Sequence, residues 1–266
     1  MEEGGKKMPH SSLGQPREHS KNAEGSFSYG RLLIGLAASE TDMADVLRLR
    51  SGRFRGRQGG SDLDCFDHAC QHVLIRAEAS AAPLAAARLR LLAEPASITG
   101  CYTGQFYDLG RLAASRKRLL EIGRICIADG WMQNPDILRA LLAALTRRAV
   151  AQRADMLVGC ASFHGADPAR HVAALRHLAA NHIGPEALRP HRHSAGAVDL
   201  PCGASDASEG LREMPSLLRM YLGMGGWVSD HAVCDPDLDT LHVFSAVETA
   251  RIPPARLRVL HALALA

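Results

Sequence analysis

Apolar residues recur at helical spacing in ETDMADVLRLRSGRF, where Met43, Val46, Leu47 and Phe54 fall near one face. The pattern predicts an amphipathic helix capped by Thr41 or Asp42. The next stretch, RGRQGGSDLDCFDHAC, is Gly-rich, charged and aperiodic, and reads as loop. CQHVLIRA is a short apolar strand. In PLAAARLRLLAE, Ala87, Leu89 and Leu91 alternate with Arg88, Arg90 and Leu92, the signature of a half-buried strand. The β-branched and aromatic residues of ASITGCYTGQFYDLG predict another strand.

The segment SRKRLLEIGRICIADG leads from a basic cluster into an apolar strand, Leu119 to Ile127, interrupted by Glu121 and Arg124 and closed by Asp129-Gly130. A long helix follows in NPDILRALLAALTRRAVAQRA. Asn134 suits the N-cap, Pro135 the first helical position and Asp136 the first turn, with Arg147, Arg148 and Arg153 toward the C-terminus. MLVGCASF is a buried strand, and DPARHVAALRHLAANHI a helix capped by Asp167. A stretch rich in Pro, His and Gly covers about 183–210. MPSLLRMYLGMG is an amphipathic helix, WVSDHAVCDPDLDTLHVFSAVE supplies two strands, and PPARLRVLHALALA a terminal helix. The order predicts an α/β (α+β) fold, a mixed sheet with helices on both faces, in which 119–160 forms one βαβ unit with a right-handed crossover.

The chain has 266 residues, 47% hydrophobic and 22% charged, the composition of a folded domain rather than a disordered or fibrous chain. Residues 1 to about 27 are polar throughout and are expected to be a disordered leader. No apolar run reaches the roughly 18–20 residues of a membrane span, and the N-terminus lacks the apolar core of a secretory signal, so a cytoplasmic location is expected. The seven cysteines are odd in number and form no CxxC pair, which points to reduced, small apolar residues. The histidines lack metal-ligand spacing, and no metal site is expected.

Three charged groups could carry chemistry. Glu121 and Arg124 lie on one apolar strand, three residues apart, and a regular strand would put them on opposite faces. A bulge would bring them together. An unpaired carboxylate is costly in a sheet, so Glu121 either ends in an ion pair at the margin or is placed to accept a proton or hold a substrate ammonium beside Arg124. The aspartates Asp62, Asp64 and Asp67 form either a solvated acidic loop or a grip for the ammonium of an amino substrate. Arg48, Arg50, Arg53, Arg55 and Arg57, with Arg116, Lys117 and Arg118, form a solvated cationic face or a docking patch. Without stacking aromatics or a nucleic-acid-binding motif, that partner is not nucleic acid. The turn DGWMQNPDIL is no phosphate loop: it lacks GxGxxG, Pro135 has no N–H, and Asp136 repels a diphosphate.

Arg50-x-x-x-Phe54, Asp64-Cys-Phe-Asp67, Arg90 in RLRLL and Glu121-Ile-Gly-Arg124, in this order, resemble the signature of the acyl-carrier-protein-dependent branch of the GNAT fold. LEIGRICI, VGCASFHG and MYLGMGGWVSDHAVCDPDLDT are similar to strands and turns of its L-ornithine N-alpha-acyltransferases, relatives of the acyl-homoserine-lactone synthases. The likeness spans about 45–250; Asp239 stands where the family usually has Asn.

The resemblance implies a mostly antiparallel GNAT-like sheet, one domain over 28–266 with a C-terminal extension from about 180. It implies transfer of a 3-hydroxy fatty acyl group from acyl carrier protein to the alpha-amine of L-ornithine, in ornithine lipid biosynthesis. Glu121 would be the base and Arg124 its partner in catalysis. Arg50, Phe54, Asp64, Asp67 and Arg90 would bind the amino acid, and Ile125, Cys126, Ile127 and Asn134 the acyl-pantetheine. The carrier's phosphopantetheine would serve as co-substrate, with no other cofactor, and an anionic membrane would be a peripheral partner. The alternatives are a homoserine-lactone synthase, an acyltransferase for another amino acid, and a non-catalytic binder of carrier protein or membrane.

Overall fold

The computed structural model describes residues 26–56, 60–80, 82–203 and 206–265. Its strands are β1 (Phe27–Tyr29), β2 (Leu32–Leu36), β3 (Gln71–Ala77), β4 (Pro83–Leu92), β5 (Tyr107–Asp108), β6 (Leu119–Ile127), β7 (Met156–His164), β8 (His191–Arg192), β9 (Ala197–Asp199), β10 (Trp227–Asp235) and β11 (Thr240–Glu248). Its helices are α1 (Glu40–Phe54), α2 (Pro95–Thr99), α3 (Gly110–Ala114), α4 (Pro135–Ala151), α5 (Val172–Asn181), α6 (Ala207–Glu213), α7 (Ser216–Gly223) and α8 (Pro254–Leu265). The expected leader lies, for 1–25, outside the described residues, and Phe27, placed at its end, already belongs to β1.

Nine strands form one sheet in the order β1-β2-β3-β4-β6-β7-β11-β10-β9. Every pairing is antiparallel except β6 with β7, the two strands joined through α4. The stretch beyond 180 completes the sheet, because β11 lies directly beside β7.

Side-chain parity sorts the helices onto two faces. Val73, Ile75, Ala85, Ala87, Leu89, Leu120 and Ile122 pack against Ile137, Ala140, Leu141 and Ala144 of α4. Leu74 and Ala86, of opposite parity, and Cys126, which a bulge in β6 brings to that face, pack against Val46, Met43 and Leu49 of α1. In the other half of the sheet, α5 and α7 cover the α4 side and the α2–α3 region covers the α1 side. β4 is therefore buried on both faces, and the expected solvent-facing row fails at Arg88, which is 3% exposed.

Two local expectations are corrected. The cap of α1 is Ser39: its hydroxyl accepts from the Asp42 N–H at 3.1 Å while the Asp42 carboxylate accepts from the Ser39 N–H at 3.2 Å. Asp42 is thus the reciprocal member of a capping box, and Thr41 lies inside the helix. ASITGCYTGQFYDLG does not form the expected strand. Pro95 opens α2, whose start is closed by Ser97, which donates to the Glu94 carbonyl at 2.7 Å. A 3-10 turn follows at Thr103–Gln105, and Tyr107–Asp108 alone pair, with β8. A side chain on Gly104 would meet the Thr99 carbonyl oxygen at 2.3 Å, so this tight turn needs glycine.

Candidate active site

β6 and β7 pair only from Leu119↔Met156 to Glu121↔Val158, and beyond Glu121 no ladder joins them. At the parting point a Cβ on Gly159 would sit 2.3 Å from the Ile122 carbonyl oxygen, so the glycine permits the close approach from which the strands diverge. The divergence opens a cavity of about 450 Å³ lined from both faces of the sheet. Arg88, Arg90, Tyr102, Thr103, Glu121, Asp235 and His242 line it with polar groups, while Leu138, Phe163, Leu218, Tyr221 and Val247 line it with apolar ones.

Glu121 is 5% exposed, and its Oε1 accepts a 2.8 Å hydrogen bond from the Thr103 N–H. It stands opposite Arg90 in the β4–β6 register, but no ion pair joins Glu121 to any described residue. Arg124 reaches the same face because the ladder is bulged. Ala86 pairs with Cys126 and Arg88 with Gly123, so Arg124 and Ile125 together oppose Ala87. The bulge puts Arg124 at φ 50°, a left-handed backbone that costs an arginine about 1–3 kcal/mol. Its guanidinium lies 4.7 Å from the Tyr102 ring centroid and 5.5 Å from that of Phe54. Phe54, Arg90, Glu121, Arg124, Ile125, Cys126 and Ile127, all expected at the site, do line the cavity.

The structure assigns Arg50, Asp64 and Asp67 elsewhere. Arg50 is 1% exposed and binds Asp62 at 2.8 Å and Asp67 at 2.7 Å. Arg88 binds Asp64 at 2.6 Å and Asp67 at 2.9 Å; Arg124 binds Asp62 at 2.9 Å and Asp64 at 3.5 Å. The six side chains close a ring in which each carboxylate bridges two guanidiniums. They hold one another instead of a substrate, because a buried carboxylate is tolerated only when its charge is met. The neighbouring guanidiniums and the Asp64 N–H outweigh burial and bring the Asp67 carboxyl down to about 2. Asn134 is also corrected: its side chain accepts from the Asp136 N–H at 2.9 Å, caps α4 and does not line the cavity.

The cationic patch is largely neutralised. Arg48 pairs with Asp45, Arg53 with Asp129 and Arg55 with Asp237, while Arg57 lies outside the described residues. The cavity's thiols are poor nucleophiles. Burial pushes Cys70 up to about 11 and Cys126 up to about 12, and raises Cys160 as well, so all three stay protonated at neutral pH. Among the described residues no group of three or more His, Cys, Asp and Glu could hold a metal, and no helix is long and apolar enough to cross a membrane.

A family model described as an acetyltransferase (GNAT) domain matches residues 49–142, from α1 through β6 into α4. An L-ornithine N(alpha)-acyltransferase of Rhodobacter capsulatus is 34% identical over 232 residues, covering 81% of this chain and 89% of that protein. A protein of the same name from Brucella abortus is 34% identical over 206 residues, covering 72% and 71%. The chain belongs to the L-ornithine N(alpha)-acyltransferase family. Among solved structures, FeeM, an N-acyl amino acid synthase from uncultured soil microbes, is 10% identical with a TM-score of 0.47, covering 85% of this chain and 98% of that one.

For an acyltransferase the division of the cavity is informative. A second cavity of about 200 Å³ shares Ile122, Leu157 and Tyr221 with the first and is otherwise walled mainly by apolar residues, including Leu142, Leu145 and Ala149 of α4 and Leu257 and Leu260 of α8. Reasoning from sequence missed Arg88, Tyr102, Thr103, Asp235 and His242 as wall residues. One signal was available for Arg88: three arginines and three aspartates on otherwise apolar or loop segments balance in charge.

Proposed function

We propose that this acyltransferase moves a 3-hydroxy fatty acyl group from acyl carrier protein to the alpha-amine of L-ornithine, giving lyso-ornithine lipid. The observation that carries the reading is the split between β6 and β7, where an unpaired buried carboxylate meets an apolar chamber within one cavity. The names of the relatives supply the acceptor.

In this scheme Glu121 takes a proton from the ornithine ammonium, directly or through water. The amine nitrogen attacks the thioester carbonyl, and backbone N–H groups of the bulged 124–127 segment stabilise the oxyanion. The added nitrogen then gives up its extra proton, directly or through water, to the sulfur as the C–S bond breaks, so the carrier's pantetheine leaves as thiol and the amide remains. Arg90, which has no carboxylate partner among the described residues, receives the amino acid carboxylate. The pantetheine arm enters beside Arg53, Phe54 and the exposed Met132, all of which line the cavity. Phosphopantetheine is the co-substrate, and no other cofactor enters the scheme.

The deciding experiment is lipid extraction from a host without such lipids that expresses this protein. A new ninhydrin-positive, phosphorus-free acyl-ornithine is expected. In vitro, acyl carrier protein is expected to donate far better than the matching coenzyme A thioester. Absence of any acyl-amino acid with loaded carrier and ornithine supplied would refute the reading.

The acyl tail is assigned to the smaller cavity. Ala149, 8% exposed, is part of its wall. Ala149→Leu should shift the acyl profile, read by mass spectrometry, toward chains shorter by about two methylenes, because a filled core site does not readily yield. An unchanged profile with normal yield would place the tail elsewhere.

Peripheral contact with an anionic membrane is part of the same reading. Exposed Arg147 on α4 and Arg256 and Arg258 on α8 lie beside exposed Val150, Val259 and Leu265. The protein should sediment with anionic vesicles at low salt and not at high salt, and Arg256→Ala with Arg258→Ala should weaken this. Equal sedimentation of the double variant would remove α8 from the contact.

A further inference from the structure

At the β10–β11 end of the main cavity, three polar side chains share one face: two carry a buried polar atom without a partner, and the third is a carboxylate without a cation among the described residues. Asp235 lies directly opposite Thr240 in the β10–β11 register, and His242 follows Thr240 at period two. All three line the cavity. Asp235 is 6% exposed, and its Oδ1 accepts from the Asp237 N–H at 3.1 Å and the Leu238 N–H at 3.3 Å. No arginine, lysine or histidine among the described residues pairs with it. The Thr240 Oγ1 and the His242 Nε2 are both buried without a hydrogen-bond partner. Buried polar atoms are seldom left unmatched, so each gap calls for an explanation, and inside a cavity a bound ligand supplies one.

The tautomer of His242 defines what is missing. The Tyr107 hydroxyl donates to the His242 carbonyl oxygen at 2.9 Å, so toward the His242 Nδ1, 3.2 Å away, it can only accept. The ring proton therefore sits on Nδ1, and Nε2 presents a lone pair. Burial, aided by nearby His231, pushes this imidazole down to about 4, so it stays neutral. A carboxylate, a bare imidazole nitrogen and a hydroxyl together call for a cationic N–H donor. Asp235 and Glu121 line the same cavity, with Cys160 also in its wall.

We propose that Asp235, Thr240 and His242 form the subsite that takes the side-chain ammonium of an α,ω-diamino acid acceptor, and so set acceptor specificity. The inference rests on the acyl-transfer reading above. It replaces Asp64 and Asp67, which are held by arginines, as the group that meets the acceptor's second amine.

The test compares ornithine with norvaline, which has the same carbon skeleton without the terminal amine, using loaded carrier protein as donor. The wild type should favour ornithine. Asp235→Asn should lower the ornithine-to-norvaline ratio of kcat/KM by about 10- to 100-fold, the size expected when a charged hydrogen bond is lost. The change should appear in KM for ornithine and not in KM for the acyl donor. Thr240→Val, which alters no charge, should lower the ratio by a few fold and serves if Asp235→Asn does not fold, as checked by thermal melting. A wild-type selectivity ratio retained in both variants would overturn the inference while leaving the functional reading intact. A wild type that acylates no amino acid would overturn the functional reading itself.

Discussion

Glu121→Gln should lower kcat by about 10²–10⁴-fold while the protein stays folded, because a positioned general base contributes that much and an amide cannot accept the proton. The substitution is close to isosteric. Its side-chain oxygen can still accept the 2.8 Å hydrogen bond from the Thr103 N–H, so the turn at 103–105 has no reason to collapse. Tm should move by only a few degrees and KM for the acyl donor should change little, since the carboxylate acts on the amine. A kcat within about threefold of wild type would remove Glu121 from the proton path.

Arg50→Met should cost about 3–5 kcal/mol of stability, the usual consequence of removing one partner from a buried ionic network. The arginine has no access to solvent and no place in the cavity wall, yet Asp62 and Asp67 both depend on it. The predicted loss corresponds to a fall in Tm of roughly 6–20 °C for a domain of this size. A variant that melts within a degree or two of wild type would show that the ring is not structural.

The same network sets an acid limit. The Asp67 carboxyl is held at about 2, below its ordinary value near 3.8, so its contribution is complete above that ordinary value. It is lost as pH falls from about 4 toward 2. Replacing Asp67 by Asn should flatten this part of the acid denaturation curve.

The ring also explains why charge assignments from sequence divided as they did. The family resemblance implies Arg50, Asp64 and Asp67 as substrate ligands, and their residue types suit an amino acid's charges, but the same types also suit one another. Their true partners are 12 to 60 residues away, as in Arg50 with Asp62 and Arg124 with Asp64. Spacing along a chain carries no information about such pairings. Glu121 was legible for the opposite reason: a carboxylate inside a largely apolar strand is costly unless its charge is met, so it must find either a tertiary partner or a substrate.

Local physics was enough to mark the apolar strand Leu119–Ile127, the Asn134 cap with the helix behind it, and the paired strands near the C-terminus, all of which the structure contains. These depend on period, capping chemistry and turn residues that lie within a few positions of one another. Tertiary structure alone decided that a bulge turns Arg124 onto the face of Glu121, that β6 and β7 separate after three residue pairs, and that Asp235 and His242 arrive from over 100 residues away to line the same cavity. Each of those outcomes is a balance between strands that are remote in the chain, and its energy belongs to the contact between them.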